Sequence, residues 1–81
     1  MVELELYFYN ECPFCQRVLS TIAKLGCGDK IRLKNIRENA KFFDELVTLC
    51  GNRTVPTLVV NGEPMRESTV INQFLTDQFL S

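Results

Sequence analysis

The sequence predicts an α/β fold whose elements follow in the order β-α-β-α-β-β-α. Apolar residues recur at two spacings along the chain, one typical of strands and the other of helices. The β-α-β beginning predicts two parallel strands joined by a right-handed crossover, and the Asn-Gly pair at residues 61–62 predicts an antiparallel hairpin. A four-stranded mixed sheet with helices on both faces satisfies both features. The 81 residues suffice for one domain, residues 1–81.

The first strand leads into a helix that begins beside two cysteines. Residues 2–9 are dense in β-forming side chains and predict a buried strand. Pro13 suits the first turn of a helix, because the N–H that it lacks has no partner there. The apolar positions of this helix are Val18, Leu19, Ile22 and Leu25. Gly26 and Gly28 are expected to end it.

A second strand and a second helix follow. Residues 30–36 alternate polar and apolar side chains, which predicts a strand with one covered face. Residues 39–50 predict a helix that ends at Gly51. The apolar side of this helix consists of Phe42, Phe43, Leu46, Val47, Leu49 and Cys50.

The remaining elements are a hairpin and a last helix. Four β-forming residues, 57–60, run into the Asn-Gly turn, and residues 63–66 form a short return strand. Pro64 places that strand at the sheet edge, since proline donates no ladder hydrogen bond. Ser68 or Thr69 is expected to cap the last helix. Its apolar residues are Val70, Ile71, Phe74, Leu75 and Phe79.

Composition excludes several classes of partner. The net charge is −1 and the basic residues are scattered, which argues against binding nucleic acid or an anionic membrane surface. No apolar run is long enough to cross a bilayer. Glu3 and Glu5 stand where a secretory signal would carry basic residues, so a reducing compartment, the cytoplasm, is expected. We expect a monomer.

Cys12 and Cys15 lie where the first strand passes into the first helix. A helix N-terminus offers free N–H groups and positive dipole charge, and both stabilise a thiolate nucleophile. The chain also holds Cys27 and Cys50, so a disulfide scaffold or a zinc site is an alternative. The second pair does not form a Cys-x-x-Cys, however, and the apolar content suffices for a core without cross-links. A redox pair is the favoured interpretation, with no metal.

These elements make up the minimal thioredoxin fold, and three motifs on them resemble a glutaredoxin. The motifs are Cys12-Pro13-Phe14-Cys15, Arg53-Thr54-Val55-Pro56, and Glu67-Ser68 at the start of the last helix. The resemblance covers essentially the whole chain. It implies a thiol–disulfide oxidoreductase that uses glutathione to reduce protein disulfides and glutathionylated proteins.

The resemblance also implies a role for each motif. Cys12 would attack the disulfide and Cys15 would resolve the mixed disulfide formed with a protein. Pro56 would be cis, which directs the backbone of Val55 toward the cysteinyl part of glutathione. Ser68 would bind the γ-glutamyl carboxylate, with Glu67 beside the ammonium group. The implied glutathione-binding residues are Tyr9, Pro13, Phe14, Arg53, Thr54, Val55, Pro56, Glu67 and Ser68.

Two positions depart from the pattern of many small glutaredoxins. Tyr9 stands where those proteins carry a lysine for the glycyl carboxylate, so Arg53 is the candidate counter-charge. Residues 65–68, Met-Arg-Glu-Ser, replace a Gly-Gly-Cys-Asp turn and resemble the glutathione-transferase-like branch. Near the nucleophile, Glu11 opposes thiolate formation, and Arg17, one turn along, offsets it.

Two other functions fit the same motifs. One is a redoxin whose Cys12–Cys15 disulfide receives electrons directly from thioredoxin reductase, which the missing lysine favours and Glu67-Ser68 disfavours. The other is a carrier of an iron–sulfur cluster between two subunits, with Cys12 and glutathione as ligands. Pro13 disfavours the carrier, since the cluster-carrying members of the family more often have Gly or Ser there.

Overall fold

The predicted element order is confirmed in a computed structural model that describes residues 2–80. The elements are β1 (Leu4–Phe8), α1 (Pro13–Leu25), β2 (Ile31–Asn35), α2 (Ala40–Cys50), β3 (Thr57–Val60), β4 (Glu63–Arg66) and α3 (Ser68–Phe79). A short 3-10 turn at Gly28–Lys30, which was not predicted, links α1 to β2. No helix within residues 2–80 has the length and apolar character needed to cross a membrane.

The four strands form one mixed sheet in the order β2-β1-β3-β4. β1 is parallel to β2 and antiparallel to β3, and β4 pairs with β3 in the predicted hairpin. The register pairs Phe8 with Asn35, so β1 and β2 end side by side. The predicted thioredoxin fold is therefore confirmed, and the segments that follow β1 and β2 emerge next to each other.

The sheet separates two unequal cores. On one face, β1 packs against α1 and α3 through Leu4, Leu6, Phe8, Val18, Ile22, Leu58, Ile71 and Leu75. On the other face, a smaller cluster of Tyr7, Leu46 and Val59 holds α2. Helices therefore cover both faces, as predicted. The side with α1 and α3 buries more apolar surface and is the more strongly stabilised of the two.

Polar contacts supplement the thin core under α2. Lys34 Nζ lies 2.8 Å from Glu45 Oε1 and 2.8 Å from Glu5 Oε2. The Tyr7 hydroxyl donates a hydrogen bond of 2.9 Å to Glu45. These hydrogen bonds from Lys34 and Tyr7 lower the pKa of Glu45, because they stabilise its charged form. The network ties α2 to the two strands beneath it.

Two local expectations were wrong. The N-cap of α3 is Glu67 rather than Ser68 or Thr69, and no side chain caps this helix. The predicted covered face of β2 is also incomplete: Ile31 is buried, but Leu33 is 46% exposed. β2 is an edge strand, so one side of it has no neighbouring strand.

Candidate active site

Cys12 is the N-cap of α1, and its sulfur takes part in the cap. Its backbone is extended, and Sγ accepts a hydrogen bond of 3.3 Å from the N–H of Cys15. Pro13 occupies the next position and has no N–H to satisfy. One of the N–H groups that a helix start leaves without a backbone partner is thus directed at this sulfur. Such a contact, together with the helix dipole, stabilises a thiolate.

Cys15 lies one turn into α1 in a different environment. It is fully buried, whereas Cys12 is 6% exposed. Burial raises the pKa of Cys15 to about 12; a backbone hydrogen bond at Tyr9 opposes this shift, and the nearby Cys12 adds to it. Cys15 therefore stays a protonated thiol near neutral pH. Both cysteines are thus buried, and they differ in position: the sulfur of Cys12 caps α1, whereas Cys15 lies one turn inside the helix.

A groove runs beside the start of α1 and the start of α3. Its volume is about 470 Å³, and it is lined by Phe14, Arg17, Thr54, Val55, Pro56, Arg66, Glu67, Ser68 and Thr69. We call it the Val55 groove. It brings together six of the nine residues that the sequence assigned to glutathione. They are Phe14 in the first turn of α1, Thr54, Val55 and Pro56 before β3, and Glu67 and Ser68 at the start of α3.

The Val55–Pro56 peptide bond that forms one wall of this groove is cis, as the resemblance implied. The Thr57 hydroxyl donates a hydrogen bond of 2.7 Å to the carbonyl of Thr54. The N–H of Thr54 donates to the Asn52 side chain at 3.0 Å. These two bonds hold the loop between α2 and β3 in place.

Cys12 is not part of the lining of the Val55 groove. Cys12 belongs to the buried cluster against which Val55 and Tyr9 pack. Phe14, two residues further on, is 54% exposed and lines the groove. Val55 thus lines the groove and also packs against the buried cluster that contains Cys12.

The start of α3 contributes strained backbone to the same groove. Glu67 has φ +78°, a conformation that residues other than glycine rarely adopt. Ser68 follows as the first residue of the helix and is buried. Since no side chain caps α3, the first N–H groups of this helix remain suited to an anion. Strain of this kind is typical of ligand-binding positions.

Two predicted residues, Tyr9 and Arg53, line a separate neighbouring groove. This second groove has a volume of about 330 Å³ and is completed by Ile36, Arg37 and Phe43. We call it the Tyr9 groove. The structure therefore divides eight of the nine predicted residues between a part that contains Val55 and a part that contains Tyr9, and the ninth, Pro13, lines neither groove.

Arg37 is a residue that the sequence analysis missed. Its guanidinium carbon lies 3.8 Å from the centre of the Tyr9 ring, and Nη1 lies 3.1 Å from Glu11 Oε1. Asn35 fixes the turn, because its side-chain oxygen accepts the Arg37 N–H at 2.9 Å. The β-α-β pattern could have indicated this contact. Parallel strands end at the same edge of the sheet, so the residues that follow β1, such as Tyr9, lie near those that follow β2, such as Arg37.

The ion pair with Arg37 also changes the expectation for Glu11. The carboxylate was expected to oppose thiolate formation at Cys12, but it is engaged by a guanidinium. Arg17, the expected offsetting charge, has its guanidinium carbon 5.5 Å from the centre of the Phe14 ring, at the Val55 groove.

The other two cysteines lie apart from this site. Cys27 is buried, which raises the pKa of its thiol. Cys50 is half-buried at the end of α2 and packs in the small core on the other face. Within residues 2–80, no three Cys, Asp or Glu side chains come together as a possible metal site. The four cysteines thus do not form one cluster.

The fold and the site define a thioredoxin-fold protein with a Cys-x-x-Cys motif at the start of its first helix. The particular family follows from its sequence. Residues 11–78 match the family model described as glutathione S-transferase, N-terminal domain. The chain belongs to that family.

Individual proteins show the same likeness. Glutaredoxin-C6 of Oryza sativa subsp. japonica is 34% identical over 59 residues, which are 72% of this chain and 53% of that protein. A glutathione transferase homologue from Drosophila mojavensis, solved with bound glutathione, superposes with a TM-score of 0.78 at 23% identity. That match covers 98% of this chain and 36% of the homologue.

A protein of similar size has the same fold. A mutant of a thioredoxin-like protein superposes with a TM-score of 0.73 at 20% identity, over 98% of this chain and 100% of that one. By contrast, this chain spans about half the length of the rice glutaredoxin and about a third of the transferase homologue.

Proposed function

We propose that the chain is a glutathione-dependent thiol–disulfide oxidoreductase that reduces protein–glutathione mixed disulfides and protein disulfides. One observation carries the proposal: the Cys12 sulfur caps α1 and accepts the Cys15 N–H at 3.3 Å, and Val55, which precedes the cis peptide bond, packs against the buried cluster that contains Cys12. An N–H group directed at a sulfur in this way favours the thiolate in general, and a free backbone nearby can pair with a peptide-like co-substrate. A cytoplasmic setting is part of the proposal.

In the proposed reaction, the Cys12 thiolate attacks the glutathione sulfur of a mixed disulfide. The substrate sulfur leaves as a thiolate and takes up a proton, so the substrate is reduced while Cys12 becomes bonded to glutathione. The thiolate of a second glutathione attacks that same sulfur, which releases oxidised glutathione and restores the Cys12 thiolate. With a protein disulfide, Cys12 attacks one sulfur and the other leaves as a thiolate that takes up a proton. Cys15 then attacks the sulfur of Cys12 and its proton goes to the substrate sulfur that is expelled. The resulting Cys12–Cys15 disulfide is reduced by two molecules of glutathione, which leave as oxidised glutathione.

The division of the site into two grooves supports an assignment for the two ends of glutathione. In the Val55 groove, the Val55 backbone would pair with the cysteinyl part, and Ser68 and the free N–H groups of α3 would bind the γ-glutamyl carboxylate. Glu67 would pair with the γ-glutamyl ammonium group. In the Tyr9 groove, Arg37 and Arg53 would bind the glycyl carboxylate in place of the lysine that Tyr9 replaces.

Cysteine variants test the proposal in a reaction supplied with glutathione, glutathione reductase and NADPH. Cys12→Ser should lower the rate at least about 1,000-fold, as removal of a catalytic nucleophile does. Cys15→Ser should keep reduction of a glutathionylated peptide and lose reduction of a peptide disulfide. Cys50→Ser, a change of the same kind away from the grooves, should act like the parent protein.

The same assay separates the alternatives. Full activity of the Cys12→Ser protein would overturn the proposal. Turnover with thioredoxin reductase and NADPH, but none with glutathione, would favour the directly reduced redoxin. The family membership favours a third outcome, transfer of glutathione to an electrophilic aryl halide. Transfer without any disulfide reduction would make the chain a transferase domain.

A further inference from the structure

The arginines of this chain are concentrated around the two grooves. Arg17 and Arg66 line the Val55 groove, and Arg37 and Arg53 line the Tyr9 groove, so four of the five arginines are there. Of the ten carboxylate side chains, only Glu67 lines either groove. Because the whole chain has a net charge of −1, this positive rim is a local arrangement rather than a general property of the surface.

Only one of these four arginines is in an ion pair. Arg37 is paired with Glu11 at 3.1 Å, whereas Arg53, Arg17 and Arg66 take part in no ion pair within residues 2–80. Arg17 and Arg66 are exposed. The guanidinium carbon of Arg17 lies 5.5 Å from the centre of the Phe14 ring, which supports the side chain at the groove rim.

Glutathione leaves these two charges without a partner in the assignment above. Its glycyl carboxylate meets Arg37 and Arg53, and its γ-glutamyl end meets Ser68, Glu67 and the start of α3. Arg17 and Arg66, exposed at the rim of the Val55 groove, are therefore available to the other participant, the polypeptide whose sulfur is bonded to glutathione. The exposed Phe14 ring, 54% accessible, lies on the same side and offers an apolar contact.

We propose that the preferred substrates are proteins with Asp or Glu side chains close in sequence to the glutathionylated cysteine. The inference rests on the proposed function. Arg17 and Arg66 bind these carboxylates, and the guanidinium groups offset the negative charge that builds up as the substrate thiolate leaves. A segment with Lys or Arg at the same positions meets like charge and is disfavoured.

Two peptides of equal length test this inference. Both carry one S-glutathionylated cysteine, flanked by Asp in one peptide and by Lys in the other, and S-glutathionylated cysteine itself is the uncharged-flank reference. At low ionic strength we expect kcat/KM to be about tenfold or more higher for the Asp peptide, a ratio typical of electrostatic steering. The ratio should fall toward one in about 0.5 M salt, where exposed charges are screened.

Paired variants locate the effect. Arg17→Gln combined with Arg66→Gln should bring the Asp-to-Lys ratio close to one. Lys24→Gln combined with Arg32→Gln removes the same charge from α1's last turn and from β2, and should leave the ratio as in the parent protein. A ratio of one in the parent protein, an unchanged ratio in the arginine pair, or an equal loss in both pairs would overturn the inference.

The reference substrate separates a failure of the acidic preference from a failure of the proposed function. If S-glutathionylated cysteine is reduced but the two peptides react equally, the proposed function stands and the acidic preference is wrong. If none of the three substrates is reduced with glutathione, the proposed function is wrong and the acidic preference falls with it.

Discussion

The N-termini of α1 and α3 flank the same groove but treat their free N–H groups differently. In α1, the capping side chain is the sulfur of Cys12, which accepts the Cys15 N–H at 3.3 Å. In α3, the N-cap is Glu67 at φ +78°, and no side chain caps the helix. An N–H group at the start of α1 therefore contacts the Cys12 sulfur, whereas those at the start of α3 remain available to a ligand.

The difference shows how two similar features can serve two steps of one reaction. A capped start stabilises a thiolate continuously, before any substrate arrives. An uncapped start gains its partner only when an anion binds, so its contribution appears as affinity. The three tests below probe these two roles, beginning with the largest expected effect.

The reactivity of Cys15 tests whether α1 acts on one sulfur only. With a pKa raised to about 12 by burial, about one Cys15 in 10,000 is ionised at pH 8. In the Cys12→Ser protein, iodoacetamide should therefore modify Cys15 at least about 100-fold more slowly than free glutathione. Peptide mass spectrometry measures the rate, with the half-buried Cys50 as an internal reference.

The pH dependence gives this test a second readout. Because the pKa is raised, the thiolate fraction of Cys15 keeps increasing up to about pH 12, and the alkylation rate should rise with it. A rate that levels off near pH 9, as for an ordinary thiol, would show that burial does not raise the pKa of Cys15. Only a rate that levels off below about pH 7.5 would show that the helix start activates this sulfur as well.

Ser68→Ala tests whether α3 keeps its first turn for a carboxylate. Loss of a hydrogen bond to a charged group should weaken binding of S-methylglutathione, which cannot react, by about tenfold. Isothermal titration calorimetry measures the change. Ser20→Ala is the matched control, because Ser20 is exposed on α1 away from both grooves. Equal affinity in the two variants would remove Ser68 from the site.

Glu67→Gly separates strain from binding and has the smallest expected effect. Glycine accepts φ +78° without steric cost, so the free energy of unfolding should rise by about 0.5–1 kcal/mol. Loss of the exposed carboxylate should weaken S-methylglutathione binding about two- to fivefold. Urea unfolding and calorimetry measure the two quantities.

Asn61→Gly is the control for that variant. Asn61 also has a positive φ, +49°, but it lies in the hairpin turn outside both grooves. The affinity of the Asn61→Gly protein for S-methylglutathione should equal that of the parent protein.

A Glu67→Gly protein that is less stable than the parent would contradict the prediction. It would show that contacts of the Glu67 side chain stabilise the positive φ at this position.

The elements of the fold were predictable because their signals are local. Pro13, Gly26 and Gly51 mark helix ends through their own backbone preferences, and they do so whatever surrounds them. The hairpin at residues 61–62 is equally local. The N-cap of α3 was assigned to the wrong residue because serine side chains commonly cap helices. The actual N-cap, Glu67, has a positive φ, which a glutamate in the sequence does not indicate.

The division of the site could not be read in the same way. Tyr9 and Arg53 are far apart in sequence from Arg37, and their meeting depends on strand register and on the turn that Asn35 fixes. The ion pair between Arg37 and Glu11 depends on the same three-dimensional placement. Motifs therefore indicate which residues are candidates for the site, but they do not indicate which of them share a groove.

The double role of the Cys12 sulfur links oxidation state to helix stability. A thiolate accepts the Cys15 N–H more strongly than a disulfide sulfur does, and a helix cap contributes about 1 kcal/mol. By thermodynamic linkage, the same free energy favours the reduced form and raises the reduction potential of the pair by at most about 20 mV. The hydrogen bond that caps α1 thus acts as a small bias on the direction of electron flow.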